Sequence, residues 1–274
     1  MKISMMTLGC PTWNLDTICQ KASEYGFDGI DFRGLLDDID ITKLPAFTTE
    51  VATTKQKIDD AGLEVSGIST SIKVCDADSL ASNLEEAKRT IGVAHNLNAP
   101  NLRIFGMGNI ANNTHEELAK VGRDCIEQIL ALDGADRLHW LFETHDNWIR
   151  ARDCQLLLDS IAHPAFGALW DMGHTARVGG ETPAESYAAI GRRVGYTHVK
   201  DAVYDPAHPN AMADGWRYVL PGAGELPLAE AITILKTNGY DGWILFEQEK
   251  RWHPTLAEPE VAFPAFVNWI RPLI

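Results

Sequence analysis

Leu138-His139-Trp140-Leu141-Phe142-Glu143-Thr144-His145-Asp146 is an apolar run that ends abruptly in four polar residues. Its body suits a short buried strand, and a carboxylate, an imidazole and a second carboxylate then follow within four positions. Side chains alternate sides along a strand, so Glu143 and His145 share one face while Phe142 and Thr144 share the other. A strand that serves only the core has no use for such an ending. The stretch reads as the inner wall of a site.

Comparable apolar runs recur on both sides of it. Strands are expected at residues 3–8, 29–33, 63–70, 101–106, 138–143, 168–171, 196–200 and 243–247. Helical periodicity marks 15–25, 49–61, 79–96, 114–132, 152–161, 183–194, 228–238 and 259–270, so eight helices alternate with eight strands. Such alternation requires parallel pairing through right-handed crossovers, and eight units in about 250 residues make a closed (β/α)8 barrel. An open doubly wound sheet would carry a Gly-rich phosphate loop after its first strand, where Gly9-Cys10-Pro11-Thr12 stands instead. Tyr25-Gly26-Phe27-Asp28-Gly29-Ile30 and Asn238-Gly239-Tyr240-Asp241-Gly242-Trp243 echo each other where a helix feeds a strand, with Gly26 and Gly239 placed as left-handed caps. No linker or low-complexity tract interrupts the chain, so residues 1–274 are expected to form one barrel domain. The longest irregular piece, 201–227, leaves the seventh strand at the end where barrel enzymes carry their sites.

A formal net charge of −14 opposes binding to phosphate backbones, and no apolar run approaches the ~20 residues that span a bilayer. The expectation is therefore a small-molecule protein with neither nucleic-acid nor membrane partners, and with pairing into a homo-oligomer left open. Five cysteines without a Cys-x-x-Cys pair argue against a disulfide framework or a thiolate zinc site and favour a reducing, cytoplasmic setting.

The fifth to eighth expected strands end in Glu143, Asp171, His198 and Glu247, which would converge on one mouth of the barrel. Three crowded carboxylates repel one another, and a divalent cation is the simplest means of holding them ionised. Oxygen-rich donors with one imidazole favour Mn²⁺, with Mg²⁺, Co²⁺ or Zn²⁺ as alternatives. Two residues further along lie His145, Lys200 and Glu249, on the same faces and so at the height of a substrate above the metal. His174 follows in the turn after Asp171. Arg33, at the end of the second strand, is placed to meet a substrate carboxylate or phosphate, and Arg177 is a weaker candidate of the same kind. Trp13, Trp216 and Trp252 are candidates for stacking on a sugar ring, whereas His95, His115, His139 and His163 read as structural.

Asp171-Met172-Gly173-His174, Thr197-His198-Val199-Lys200-Asp201, Leu220-Pro221-Gly222-Ala223-Gly224 and Gly239-Tyr240-Asp241-Gly242-Trp243-Ile244-Leu245-Phe246-Glu247 resemble signature blocks of the xylose-isomerase-like barrel superfamily, in its sugar isomerase/epimerase branch. The resemblance implies that Glu143, Asp171, His198 and Glu247 are the metal ligands and that His174 contacts a substrate oxygen. Sugar epimerases of that kind use the first and last glutamates as paired acid and base. Here Thr144-His145-Asp146 sets an imidazole beside the first one, where it can take over proton abstraction.

The leading expectation is a metal-dependent sugar or polyol isomerase/epimerase that removes a proton next to a carbonyl. Glu143, Glu247 and His145 are its acid and base candidates, with Lys200 as an electrostatic helper. Its rival is a lyase or dehydratase that eliminates from keto sugars, inososes or C-glycosides with His145 as base. An abasic-site nuclease of the endonuclease IV type is opposed by the acidic charge, and a non-catalytic binding barrel by the intact cluster of ionisable groups.

Overall fold

The computed structural model describes all 274 residues. Its strands are β1 (Lys2–Met6), β2 (Gly29–Phe32), β3 (Glu64–Lys73), β4 (Asn101–Phe105), β5 (His139–Glu143), β6 (Phe166–Asp171), β7 (Val194–Val199), β8 (Asp201–Tyr204), β9 (Trp216–Val219) and β10 (Trp243–Phe246). Eight of them close into a parallel barrel in the order β1-β10-β7-β6-β5-β4-β3-β2, and β8 and β9 form a separate antiparallel pair. The helices are α1 (Leu15–Tyr25), α2 (Val51–Asp60), α3 (Leu80–Leu97), α4 (His115–Leu130), α5 (Ala151–Ser160), α6 (Met172–Arg177), α7 (Pro183–Ile190), α8 (Leu228–Thr237) and α9 (Pro259–Ile270). None is long and apolar enough to cross a membrane.

Strand alternation divides the interior into two cores. Leu141, Leu169, Tyr196 and Leu245 point into the barrel with Met6, Leu8 and Trp243, and form a cluster of their own. Each of the first four lies two residues before Glu143, Asp171, His198 or Glu247, so the period of two that fills the barrel floor also lifts the ionisable groups onto the same face at its mouth. The alternate residues, among them Trp140, Phe142, Trp170 and Phe246, join the large core between strands and helices. There Phe246 stacks on Phe266 of α9 with ring centroids 4.8 Å apart. Truncating a ring so buried, as in Phe266→Ala, costs about 3–5 kcal/mol.

Local signals set the helix ends. Asn14 accepts a bond from the Thr17 amide at the start of α1, and Thr114 with Glu117 and Thr182 with Glu185 close capping boxes on α4 and α7. Gly26 and Gly239 adopt φ of +86° and +78°, so the two echoed turns share the left-handed conformation that their glycines permit.

Several expectations are corrected. The segment 201–227 contains the β8–β9 hairpin, in which Asp201 pairs with Val219 and Tyr204 with Trp216. The Asp201 carboxylate accepts bonds from the amides of Gly222 and Gly224, at 2.8 and 3.0 Å, and pins the returning chain. Strand β3 runs on to Lys73, β6 and β7 begin earlier than expected, α7 stops at Ile190, and His174 lies in the short helix α6 rather than in a turn. All five cysteines are buried and free.

Candidate metal centre

Strands β5, β6, β7 and β10 are neighbours in the barrel, and their ends deliver Glu143, Asp171, His198 and Glu247 to one point. One ligand atom from each lies within 4.8 Å of the others, and all four residues are buried. His198 Nδ1 stands 3.2 Å from Glu143 Oε1 and 3.4 Å from Glu247 Oε2. Thr144, on the opposite face of its strand, accepts the Asp171 amide at 2.8 Å and so ties the ends of β5 and β6 together.

Burial by itself would push these carboxyls up. His198 then outweighs it at Glu143, with His145 and Arg103 adding to the effect, and holds that carboxyl below the usual range. At Asp171 the counterweights are His174 and Lys200. Glu247 is pushed down to about 2 against its burial, by Lys200 and then His198. Burial lowers the His198 imidazole, but Glu247 and Glu143 overcome it and raise it to about 10.

The donor set fits a divalent cation. Asp171 Oδ2 and Glu247 Oε2 are buried, and although the Lys200 ammonium approaches both as an ion pair, neither receives an aligned hydrogen bond. Four carboxylates, Glu249 included, face two fixed cations, Arg103 and Lys200. The excess of two negative charges equals the charge of one divalent ion bound beside a neutral His198, and carboxylate oxygens with one imidazole nitrogen suit such an ion.

A second group shares Glu143. Ligand atoms of Glu143, His145 and His174 also lie within 4.8 Å of one another. The His145 and His174 rings meet edge to face with centroids 4.7 Å apart. His145 Nδ1 is 2.7 Å from Asp146 Oδ1, and Asp146 adopts φ +55° as it turns the chain back toward the imidazole. Burial lowers His145, whereas the Asp146 bond and the Glu143 charge raise it above the ordinary histidine value. His174 Nδ1 is 2.9 Å from Asp171 Oδ2 and its Nε2 is 3.5 Å from Lys200 Nζ.

Lys200 sits lower than its place along the sequence suggests. It is buried level with the quartet, 3.0 Å from Asp171 Oδ2, paired with Glu247 and 2.9 Å from Glu249 Oε1. Glu249 itself, pushed down to about 2 against burial by Lys200 and then His253, turns to that lysine. Arg33 and Arg177 are not brought to the quartet. Arg33 donates to Ser71 Oγ at 3.0 Å, and Arg177 pairs with Asp214 and lies over the Tyr218 ring at 5.4 Å. Trp13 packs in the core against Phe263, Trp216 lies in the hairpin against Tyr204, and Trp252 is exposed. His95, His115 and His139 make structural bonds to Gly134, Asn147 and Asn101, and the His163 ring accepts the Ala165 amide.

Two residues at the site escaped the sequence reading. Arg103, buried in β4, lies 3.4 Å from Glu143 Oε2 under the Phe105 ring. A lone arginine inside an apolar strand, in phase with Asn101 and Phe105, was a legible signal. Tyr218, in the hairpin, stands 5.9 Å from Lys200 Nζ, and no motif announced it.

Solved structures share this fold along nearly the whole chain. A probable 3-DHS dehydratase, AsbF, involved in petrobactin synthesis in Bacillus anthracis, superposes with a TM-score of 0.78 at 20% identity over 98% of each chain. IOLI protein with a bound zinc atom gives 0.78 at 15% identity, covering 100% of this chain and 98% of that one. The 3-keto-D-glucoside 4-epimerase YcjR from E. coli gives 0.73 at 17% identity over 99% of each. No curated protein sequence matches the chain. The family model described as xylose isomerase-like TIM barrel matches residues 19–273, nearly the whole chain, and the protein therefore belongs to the xylose isomerase-like TIM barrel family.

Proposed function

We propose that the protein is a divalent-metal-dependent enzyme that removes a proton next to the carbonyl of a small sugar or polyol and returns it as an isomerase or epimerase. The observation that carries this reading is the convergence of Glu143, Asp171, His198 and Glu247, four buried groups whose ligand atoms share one point at the barrel mouth. These four residues would hold one cation, with Mn²⁺ first by donor chemistry and Mg²⁺, Co²⁺ or Zn²⁺ as alternatives. A cation held there would supply Lewis-acid polarisation of the carbonyl and offset the negative charge that develops as the proton leaves.

The chain's own groups move the protons. His145, oriented by Asp146 and half-exposed above Glu143, is placed to take the proton from carbon. Glu247, kept ionised beside Lys200 and His198, would be the partner group in the proton's return. His174 would contact a substrate oxygen, and Arg103 and Lys200 offset the carboxylate charge that would otherwise oppose an anionic transition state.

One observation favours a second reading, elimination. The imidazole of His145 lies beside a carboxylate of its own, Asp146, and the structural neighbours include a probable dehydratase as well as epimerases. Mass spectrometry of a ketose panel incubated with the Mn²⁺-loaded protein decides between them. Isomerisation preserves substrate mass, and elimination removes water or a leaving group. If Glu247→Gln retained both metal and full turnover, the proton role of Glu247 would be wrong.

A further inference from the structure

A cavity of about 370 Å³ lies beside the metal centre, between the β8–β9 hairpin and the loop that follows β10. Its walls combine the apolar Met212, Leu220 and Leu256 with the polar His208, Asn210 and Gln248. Two further lining residues belong to both places. Tyr218 carries its ring to within 5.9 Å of Lys200 Nζ, and His253 places Nε2 3.4 Å from Glu249 Oε2 while meeting the Tyr218 ring edge to face at 5.4 Å. A ligand that reaches the quartet therefore has a second room one side chain away, and none of the groups assigned to proton transfer lines it.

We propose that this cavity is a subsite for a neutral, ring-sized substituent carried by the sugar, so that the natural substrate is a substituted keto sugar, with its carbonyl on the sugar and the substituent in the cavity, rather than a free monosaccharide. The inference rests on the reading of the metal centre given above and specifies its substrate class. Size supports it, since the volume lies at the low end for ligand pockets, room for about one ring. Charge supports it as well. The lining guanidinium, Arg217, is paired through Nε with Asp205 at 3.1 Å, and the imidazole of His253 faces Glu249, so the charges on the wall are already countered and favour a neutral group. An aromatic wall at Tyr218 and apolar side chains opposite give a ring its contact area, while the amide and imidazole groups suit hydroxyls on its edge.

The test is calorimetric titration of the full-length, Mn²⁺-loaded protein with phenyl β-D-glucopyranoside and methyl β-D-glucopyranoside. The subsite predicts that the phenyl glycoside binds tighter by on the order of tenfold, the worth of burying one ring face. Ala223→Trp, on an exposed part of the cavity wall, should collapse that ratio while metal content is unchanged, and Thr255→Trp on the facing loop serves if the first variant does not fold. Equal affinities, no binding of the phenyl glycoside, or a ratio that survives both tryptophans overturns the proposal. Tighter binding of 4-carboxyphenyl β-D-glucopyranoside than of the phenyl compound overturns its neutrality. A silent ketose panel with the phenyl preference intact would sink the proton-abstraction reading alone, and an active panel without the preference would sink the subsite alone.

Discussion

The quartet and the histidine pair above it are built from different material. Glu143, Asp171, His198 and Glu247 end four barrel strands and none is more than 6% exposed, whereas His145 follows its strand and leaves 32% of its side chain accessible. The first set is held by the sheet, and its members counter one another's charge. In the second, His145 lies against one carboxylate, Asp146, on a residue with positive φ, and is partly exposed, whereas His174 is buried against Asp171. On the proposed reading the strand-end groups would hold the metal and His145 at the rim would take the proton from carbon, with Glu247 the one residue that serves both ends.

Breaking the quartet should have the largest effect. Asp171→Asn or His198→Gln is expected to lose metal and turnover together, the latter by more than about 10³-fold, since a Lewis acid supplies several kcal/mol of transition-state stabilisation. Elemental analysis beside the turnover assay checks that the two fall in step. Removing the rim base should instead separate them. His145→Ala is expected to keep its metal and lose about 10²–10⁴ in kcat, the range of a general base, and a variant that loses metal as well would erase the distinction between the two regions.

Acidity sharpens the same contrast. Burial lowers His198, but Glu247 and Glu143 raise it to about 10, so a cation binding through its imidazole would have to displace a proton. Apparent Mn²⁺ affinity should therefore weaken by up to about tenfold for each unit of pH lowered through neutrality, a slope read directly by calorimetry at several pH values. The smallest effect is expected beneath the site. Asp31 is fully buried among Ser69 and Tyr196, and burial raises its pKa despite relief from His198 and then Ser69. Because the folded-state value is raised, its stabilising contribution is present below the unfolded carboxylate value of about 4 and is lost as pH rises through the folded one. Asp31→Asn should remove that loss and lift Tm at neutral pH by on the order of 2 °C, with no gain at pH 3, as followed by thermal melts.

What the chain disclosed in advance follows from geometry that repeats. A period of two with an apolar body and a polar end is visible residue by residue, and it located Glu143, Asp171, His198 and Glu247 on adjacent strands and His145 next to the first. Lys200 was misplaced because periodicity gives a face and not a depth. Three carboxylates, Asp171 at the end of β6 and Glu247 and Glu249 just after β10, draw its long side chain down to their own level, a pull that depends on segments distant in sequence. The β8–β9 hairpin was hidden by composition, since Trp216-Arg217-Tyr218-Val219 are all half-buried and show no alternation to distinguish them from the Pro- and Gly-rich chain around them. With the hairpin went Tyr218 and the cavity that it lines.

Metal stoichiometry tests most directly whether the quartet holds one cation. Protein stripped with chelator and titrated with Mn²⁺ should bind one ion per chain, and the same titration of Asp171→Asn should show that site lost, with the fold intact by circular dichroism. No uptake by the parent, or one equivalent still bound by the variant with undiminished affinity, would contradict it.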